Sequence, residues 1–268
     1  MAEAQNAKDY WSTTDFQKRE YDEFPPFYIL AIRRVIESLA VETVFEFGCN
    51  AGRNLEYLSK NLTRPVTLRG IDINQTSIEF GKEKWNLDLR VSDEKFFRIL
   101  ADNTYDLIFT VSVLDHIPDI TECLRDIYRV TSRFFLTLEP YQEIELPYLQ
   151  SFQSENVIAS DISTKTPYSY THPLDDLIIS AGFTEQISLP LPTYRGNFGP
   201  LYRLSLWVKD AFEQSDRTRF KIIQDELIFE CVLSTISLAE KARNLLRQSQ
   251  KFSRQAYQLK KQLKKSSS

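Results

Sequence analysis

The chain has 268 residues, of which 42% are hydrophobic, and its 33 basic and 37 acidic side chains leave a formal net charge of −4. This ordinary globular composition excludes a disordered chain, a collagen and a disulfide scaffold. Only seven glycines are present, so each one is expected where the backbone needs a conformation that other residues avoid.

The charge is unevenly distributed along the chain. Residues 241–268 hold nine Lys and Arg and no Asp or Glu, whereas residues 1–240 hold 24 basic and 37 acidic side chains, a net charge of −13. An acidic surface is unfavourable for nucleic acid because it repels the phosphates. The basic tail therefore needs a separate explanation.

The sequence favours a cytoplasmic protein. The N-terminal segment MAEAQNAKDYW lacks the basic and apolar regions of a secretory signal, and no run of about 18 apolar residues is present. The three widely spaced cysteines are typical of free thiols in a reducing compartment. With two histidines and no CxxC pair, no metal site is expected.

Strand-like and helix-like stretches alternate in the first half of the chain. The apolar-periodic stretch FYILAIRRVIESLA follows Pro25 and Pro26, and proline suits the first turn of a helix. Five β-rich runs then alternate with helical patterns, and this rhythm indicates βαβ units and a parallel sheet. The five predicted strands are 41–47, 66–72, 87–92, 105–114 and 132–139.

The rhythm breaks after Glu139. Residues 140–171 are irregular and rich in aromatic residues, which we interpret as a lid over the ligand edge of the sheet, with a small satellite core as the alternative. A predicted helix ends at Gly182, and two further β-rich runs predict a terminal hairpin. From Asp210 onward the pattern is helical.

The most informative segment is VFEFGCNAGRN (44–54), which has the pattern of a strand, a tight glycine turn and a helix start. Such a turn lets a ligand approach the backbone closely and offers free N–H groups. The second strand ends at Asp72, 20 residues after Gly52, where a carboxylate suits the two hydroxyls of a ribose. The third ends at Ser92–Asp93, where a carboxylate suits an adenine amino group. The three strand ends predict a site for an adenosine-containing ligand.

These motifs resemble those of the class I S-adenosylmethionine-dependent methyltransferases over about residues 27–208. The residues that carry the resemblance are EFGCNAG (46–52), GID (70–72), SD (92–93) and YDLIFTVSVLDHIPD (105–119). A dinucleotide-binding dehydrogenase is the main rival for the glycine motif, but the DHIPD segment and the terminal hairpin favour the methyltransferase.

The resemblance implies an α/β fold: a doubly wound, seven-stranded, mostly parallel sheet of the Rossmann-like methyltransferase type. We expect N-terminal cap helices in residues 1–40, a methyltransferase domain in 41–208, and a long C-terminal helix or coiled-coil extension in 209–268.

The resemblance also implies S-adenosyl-L-methionine as the cofactor. Asn50 stands where the family often has a glycine, and asparagine tolerates left-handed backbone angles better than most residues. The implied cofactor-binding residues are Glu46, Gly48, Asn50, Gly52, Asp72, Ile73, Ser92, Asp93, Thr110 and Val111.

Two residues near the expected methyl position are candidates for catalysis. His116 follows the fourth strand and suits a general base, because histidine titrates near neutral pH; the alternative is a packing residue that walls the pocket. Glu139, at the end of the fifth strand, suits acceptance of the substrate proton or binding of a substrate amine; the alternative is an exposed loop carboxylate. Asp115 is expected to face solvent or to cap the loop.

We therefore predict methyl transfer to an O or N atom of a small molecule. The D/N-P-P-Y/F tetrapeptide of enzymes that methylate amino groups of DNA or glutamines of proteins is absent, and no Pro–Cys pair supplies a thiol for attack on cytosine. Sugars, glycan ends, lipid headgroups and metabolites remain open as acceptors, and nucleic acid is disfavoured. The alternative function is a non-catalytic scaffold that acts through a C-terminal coiled coil.

The tail shows a heptad pattern of apolar residues over roughly four heptads from Cys231 to Leu263, with Ser249 at one core position. We expect a coiled coil that forms a homo-oligomer through residues 231–263. A single helix packed on the domain, or a basic helix that contacts an anionic membrane surface, is the alternative. The other core positions are Leu238, Ala242, Leu245, Phe252, Ala256 and Leu259.

Overall fold

The computed structural model describes residues 2–14, 27–141, 168–191, 201–209 and 220–225. The helices are α1 (Ala2–Thr13), α2 (Phe27–Leu39), α3 (Arg53–Asn61), α4 (Gln75–Trp85), α5 (Thr121–Val130) and α6 (Leu174–Ala181). The strands are β1 (Thr43–Phe47), β2 (Thr67–Asp72), β3 (Asp88–Val91), β4 (Tyr105–Val111), β5 (Thr131–Tyr141), β6 (Thr184–Leu191) and β7 (Leu201–Val208). Two short 3-10 helices span Glu94–Ile99 and Leu114–His116.

The strands form one seven-stranded sheet in the order β3-β2-β1-β4-β5-β7-β6. Strands β1 to β5 are parallel, whereas β7 lies antiparallel between β5 and β6. The predicted doubly wound, mostly parallel α/β fold with a terminal hairpin is therefore confirmed. None of the helices within the described ranges is long and apolar enough to cross a membrane.

The chain divides into two compact units, Met1–Gln224 and Asp225–Ser268. Nearly all of the described residues belong to the first unit. The predicted coiled coil and most of the predicted long C-terminal helix lie outside the described residues, and so does most of the predicted lid, of which Tyr168 and Tyr170 are described. The predicted domain boundaries stay predictions.

The central strands are apolar because both faces of the sheet are covered. Residues Val44–Phe47 of β1 and Leu107–Thr110 of β4 are buried throughout, as expected for parallel strands between helical layers. Helix α5 packs one buried face on this sheet, through Leu124, Ile127 and Val130 among others. Because these buried strands are parallel, their carboxyl ends lie side by side at one edge of the sheet.

Two predicted elements differ in detail from the structure. Strand β4 ends at Val111, three residues before the predicted end, because Ser112 adopts a left-handed conformation with φ 54° and the chain turns into the 3-10 helix Leu114–His116. The predicted helix after β3 is a 3-10 helix, and the Asp93 carboxylate caps it by accepting the Lys95 N–H.

Candidate active site

A cavity of about 310 Å³ lies at the carboxyl ends of β1, β2 and β4. The strand order reverses between β1 and β4, and ligands of open α/β sheets bind at such a switch point. Two N-terminal helices contribute to its wall together with the strand ends. The lining residues include Ala7, Lys8, Trp11, Thr14, Tyr28, Glu46, Gly48, Asn50, Arg53, Asn54, Asp72, Ile73, Asn74, Ser92, Glu94, Val111, Ser112, Val113 and His116.

The turn after β1 brings bare backbone to the cavity wall. Gly48 has φ 72°, and a Cβ there would lie 2.7 Å from Val113 Cγ1 and nearer still to Cγ2. Asn50 has φ 50°, and its Oδ1 accepts the Ala51 N–H at 2.8 Å, so the left-handed conformation expected at Asn50 is observed. The turn therefore survives the replacement of the family's usual glycine.

The Asp72 carboxylate is held by two backbone N–H groups. Asn50 N–H donates to Oδ2 and Asn74 N–H donates to Oδ1, both at 2.8 Å. Burial raises the pKa of Asp72, and these hydrogen bonds oppose that shift. The carboxylate is thus fixed at the cavity wall, where it faces the space that a ligand would occupy.

Glu46 presents an unsatisfied oxygen to the same cavity. The side chain is 1% exposed; its Oε1 accepts the Asn54 amide at 2.6 Å, whereas Oε2 is buried and has no hydrogen-bond partner among the described residues. Burial raises the Glu46 pKa to about 8, and the neighbouring Asp72 charge adds to this shift. A buried oxygen without a partner is costly, so this group is suited to receive a ligand donor.

His116 lies at the β4 side of the cavity and is contacted on several sides. Its ring packs on that of Trp11 with a centroid separation of 4.0 Å. Its Nδ1 lies 3.3 Å from Ser169 Oγ and 3.4 Å from the Tyr168 carbonyl oxygen, and its Nε2 lies 3.7 Å from Asp115 Oδ1. The expectation that Asp115 faces solvent is wrong, because its side chain is largely buried beside His116 and its Oδ1 has no contact with solvent. Burial raises the Asp115 pKa, and the nearby His116 opposes that shift.

Glu139 is 3% exposed, so the alternative of an exposed loop carboxylate is wrong. Both of its oxygens accept the Val113 N–H, at 3.3 and 3.1 Å. Burial raises the Glu139 pKa to about 8, and the charge of Asp115 contributes to the rise. The side chain supports the Val113 backbone and is not part of the cavity wall.

The structure brings most of the predicted site residues together. Those on the cavity wall are Glu46, Gly48, Asn50, Asp72, Ile73, Ser92, Val111 and His116. Four others are not on the wall. Thr110 and Glu139 are buried inside the sheet, Gly52 directly precedes α3 and lies close to Leu87 and Leu89, and the half-buried Asp93 accepts a hydrogen bond from Lys8.

The sequence predicted N-terminal cap helices but not which of their residues line this wall, and it did not predict the contribution of the first turn of α3. A local signal existed for Arg53 and Asn54, because they directly follow the glycine turn. No local pattern indicated the positions of Lys8, Trp11 and Tyr28, because they depend on long-range packing.

Comparison with known proteins agrees with this geometry. Residues 45–133 match a family model described as a methyltransferase domain, and no curated protein sequence matches the chain. Among solved structures, the chain resembles a SAM-dependent methyltransferase from Methanosarcina mazei, with 19% identity, a TM-score of 0.51 and coverage of 63% of this chain and 92% of that one. It also resembles the YcgJ protein from Bacillus subtilis, with 16% identity, a TM-score of 0.51 and coverage of 69% and 98%.

A third similar structure is the 1,6-didemethyltoxoflavin-N1-methyltransferase of Burkholderia thailandensis, solved with S-adenosylhomocysteine and its substrate. It has 14% identity, a TM-score of 0.50 and coverage of 78% of this chain and 85% of that one. The family match assigns a methyltransferase domain to residues 45–133, and the similar structures share the fold. S-adenosylmethionine, the cofactor that the sequence motifs imply, is also the one named for the Methanosarcina protein.

The residues present fit this cofactor. The unpartnered Oε2 of Glu46 suits a cationic ammonium group, and the Asp72 carboxylate suits vicinal hydroxyls. Between them, Gly48 and Asn50 of the turn after β1 also line the cavity.

Proposed function

We propose that the protein is a methyltransferase that transfers the methyl group of S-adenosylmethionine to an O or N atom of a small molecule. The observation that supports the orientation of the cofactor is the buried Glu46 oxygen without a partner among the described residues. Glu46 would hold the ammonium of the methionine part and Asp72 the ribose hydroxyls. Ile73, Ser92 and Val111 would contact the adenosine part from the wall, and Asn50 would shape the turn. Bound S-adenosylmethionine would supply a methyl group on a positively charged sulfur, and the rest of the cofactor would leave as a neutral thioether.

A small acceptor is supported by the covering of the cavity, because residues of α1 form part of its wall and make it a covered site and not an open surface. The acidic charge of residues 1–240 disfavours nucleic acid. The Burkholderia relative methylates a small heterocycle, which is consistent with this proposal. Sugars and glycan ends would accept the methyl group on an oxygen atom, so the proposal includes them.

His116 is proposed as the general base for this acceptor. The acceptor proton would pass to the imidazole as the acceptor lone pair attacks the methyl carbon, and the resulting positive charge would be compensated by the carboxylate of Asp115, 3.7 Å away. Glu139 would act as a positioning residue, because it fixes the Val113 backbone beside His116 without reaching the cavity.

Calorimetry with S-adenosylmethionine is the first test. Wild type should bind, and Asp72→Ala should weaken binding roughly 10- to 100-fold, because the hydroxyls lose a charged acceptor. Asp88→Asn is a matched control, since Asp88 is exposed on β3 away from the cavity. A wild-type chain that does not bind the cofactor would refute the proposal. A screen of amine, hydroxyl and sugar acceptors with methyl-tritiated cofactor then identifies the acceptor class.

The heptad pattern of residues 231–263 supports a further proposal, a coiled-coil homo-oligomer. Light scattering should show an oligomer for the full chain and a monomer after deletion of residues 231–268. An unchanged subunit number after the deletion would rule out the coiled coil. Sedimentation with anionic lipid vesicles tests the alternative, a basic helix on a membrane surface.

A further inference from the structure

Helix α1 is attached to the loops that follow three different strands. Lys8 Nζ donates to Asp93 Oδ2 at 2.8 Å and to Glu94 Oε1 at 2.7 Å, after β3. After β2, the Asn74 amide donates to the carbonyl oxygens of Trp11 and Thr14 at 3.2 and 2.9 Å. The Trp11 ring packs on His116 after β4. The helix therefore spans the same strand ends as the cavity beneath it.

These attachments determine the position of α1. The helix has 12 residues, and an isolated helix of this length is marginal in water. Its Ala7 is 1% exposed and lines the cavity together with Lys8, Trp11 and Thr14. Among residues 5–13 only Ala7 is buried, so the polar contacts of Lys8 and Asn74, together with the packing of Trp11 on His116, are the specific restraints that hold it in place.

Asp93 is committed to this attachment. Its Oδ2 accepts from Lys8, and its Oδ1 accepts the Lys95 N–H at 3.0 Å. Burial opposes the charge of Asp93, but the Lys8 and Lys95 hydrogen bonds outweigh it and lower the Asp93 pKa. The side chain is absent from the cavity wall, whereas its neighbours Ser92 and Glu94 lie on it.

We propose that Lys8 and Asp93 are positioning residues that hold α1 over the bound cofactor, and that Asp93 does not recognise the adenine amino group. This inference rests on the proposed function, because it requires that the cavity binds S-adenosylmethionine. It departs from the role that the family resemblance implies for the carboxylate after the third strand. The Lys8–Asp93 pair acts through α1. Loss of the pair should therefore weaken the binding of cofactor analogues equally, whether they carry an adenine or another purine.

The test compares S-adenosylhomocysteine with S-inosylhomocysteine, in which a carbonyl oxygen replaces the adenine amino group. Calorimetry and stopped-flow dissociation are measured for wild type, Lys8→Met, Asp93→Asn and the double variant. Each single variant should weaken S-adenosylhomocysteine binding about three- to tenfold, mainly through faster dissociation. Lys8→Met also removes the ion pair of Lys8 with Glu94, so the double variant should equal Lys8→Met, in which Asp93 has already lost Lys8 as its partner. The ratio of affinities for the two ligands should not change.

Two controls keep the comparison specific. Asparagine retains an acceptor for the Lys95 N–H, so Asp93→Asn should keep the cap of the 3-10 helix, and Asp93→Ser is a second variant with the same property. Lys82→Met removes an exposed lysine of α4 and should leave both affinities unchanged.

The outcomes separate the two proposals. If Asp93→Asn alone abolishes the preference for S-adenosylhomocysteine and Lys8→Met does not, Asp93 contacts the adenine and the inference is wrong. Additive effects of the two substitutions would also contradict it. If wild type binds neither ligand, the proposed function itself fails, and the inference fails with it.

Discussion

The Asn54 amide donates to Glu46 Oε1 over 2.6 Å and leaves Oε2 of the same carboxyl group buried without a partner in the described part of the chain. Asn54 lies on the first turn of α3 and Glu46 on β1, so the glycine turn between them fixes their separation. One neutral donor is insufficient for a carboxylate at this depth, and the Glu46 pKa is raised to about 8. This shift favours the protonated carboxyl group near neutral pH, whereas a bound cation would favour the ionised form.

Cofactor binding should release a proton from Glu46. Below pH 8 the free protein carries the protonated group, whereas pairing with the ligand ammonium favours the ionised form. Affinity should therefore rise with pH towards about 8 and fall above it, because the ligand ammonium then loses its own proton. Calorimetry at pH 7 in buffers of different ionisation enthalpy should give release of close to one proton.

Glu46→Gln is the matched test of this linkage. The amide is similar in shape and cannot ionise, so affinity should fall and the proton release should disappear. Proton release that persists in Glu46→Gln would assign it to another group.

The local sequence predicted the site residues at the strand ends, but it did not predict which residues of the N-terminal helices cover the site. Asp72 and Asn50 were predictable because Asp72 ends β2 and Asn50 lies in the short turn directly after β1. Glu139 was placed at a strand tip, but β5 continues to Tyr141 and pairs with β7, so Glu139 lies inside the sheet. Lys8 meets Asp93 across 85 residues, and no periodicity encodes such a contact.

Glu139 should make stability depend on pH. Its pKa is about 8 in the folded protein against 4.5 as the reference value, so between these values the folded state binds the extra proton. Stability should then fall as pH rises through this window, by up to about 1.4 kcal/mol per pH unit from this group. Urea unfolding at pH 5.5, 7 and 8.5 should show a shallower decline for Glu139→Gln than for wild type. The exposed Glu83→Gln should match wild type, and parallel slopes for all three proteins would contradict the assignment.

Gly48→Ala should destabilise the protein. Residue 48 has φ 72°, and the new methyl group would overlap the Val113 side chain. Strain and overpacking together predict a loss of about 2–4 kcal/mol in the free energy of unfolding. Asn50→Gly is the comparison, because glycine accepts φ 50° freely and only one side-chain hydrogen bond is lost. Denaturant unfolding should rank Gly48→Ala well below Asn50→Gly, and equal stability would show that the turn tolerates a Cβ.

His116→Phe should separate cofactor binding from methyl transfer. Phenylalanine preserves a ring that packs on Trp11, so the attachment of α1 at this point should remain and S-adenosylmethionine affinity should change less than threefold. Without the imidazole, an acceptor that must lose a proton should be methylated about 10²–10⁴-fold more slowly. The rate is measured with the acceptor identified by the tritium screen, over a range of pH. If the His116→Phe enzyme keeps the wild-type rate, His116 is a packing residue of the cavity wall and not the general base. The acceptor would then react without losing a proton to His116.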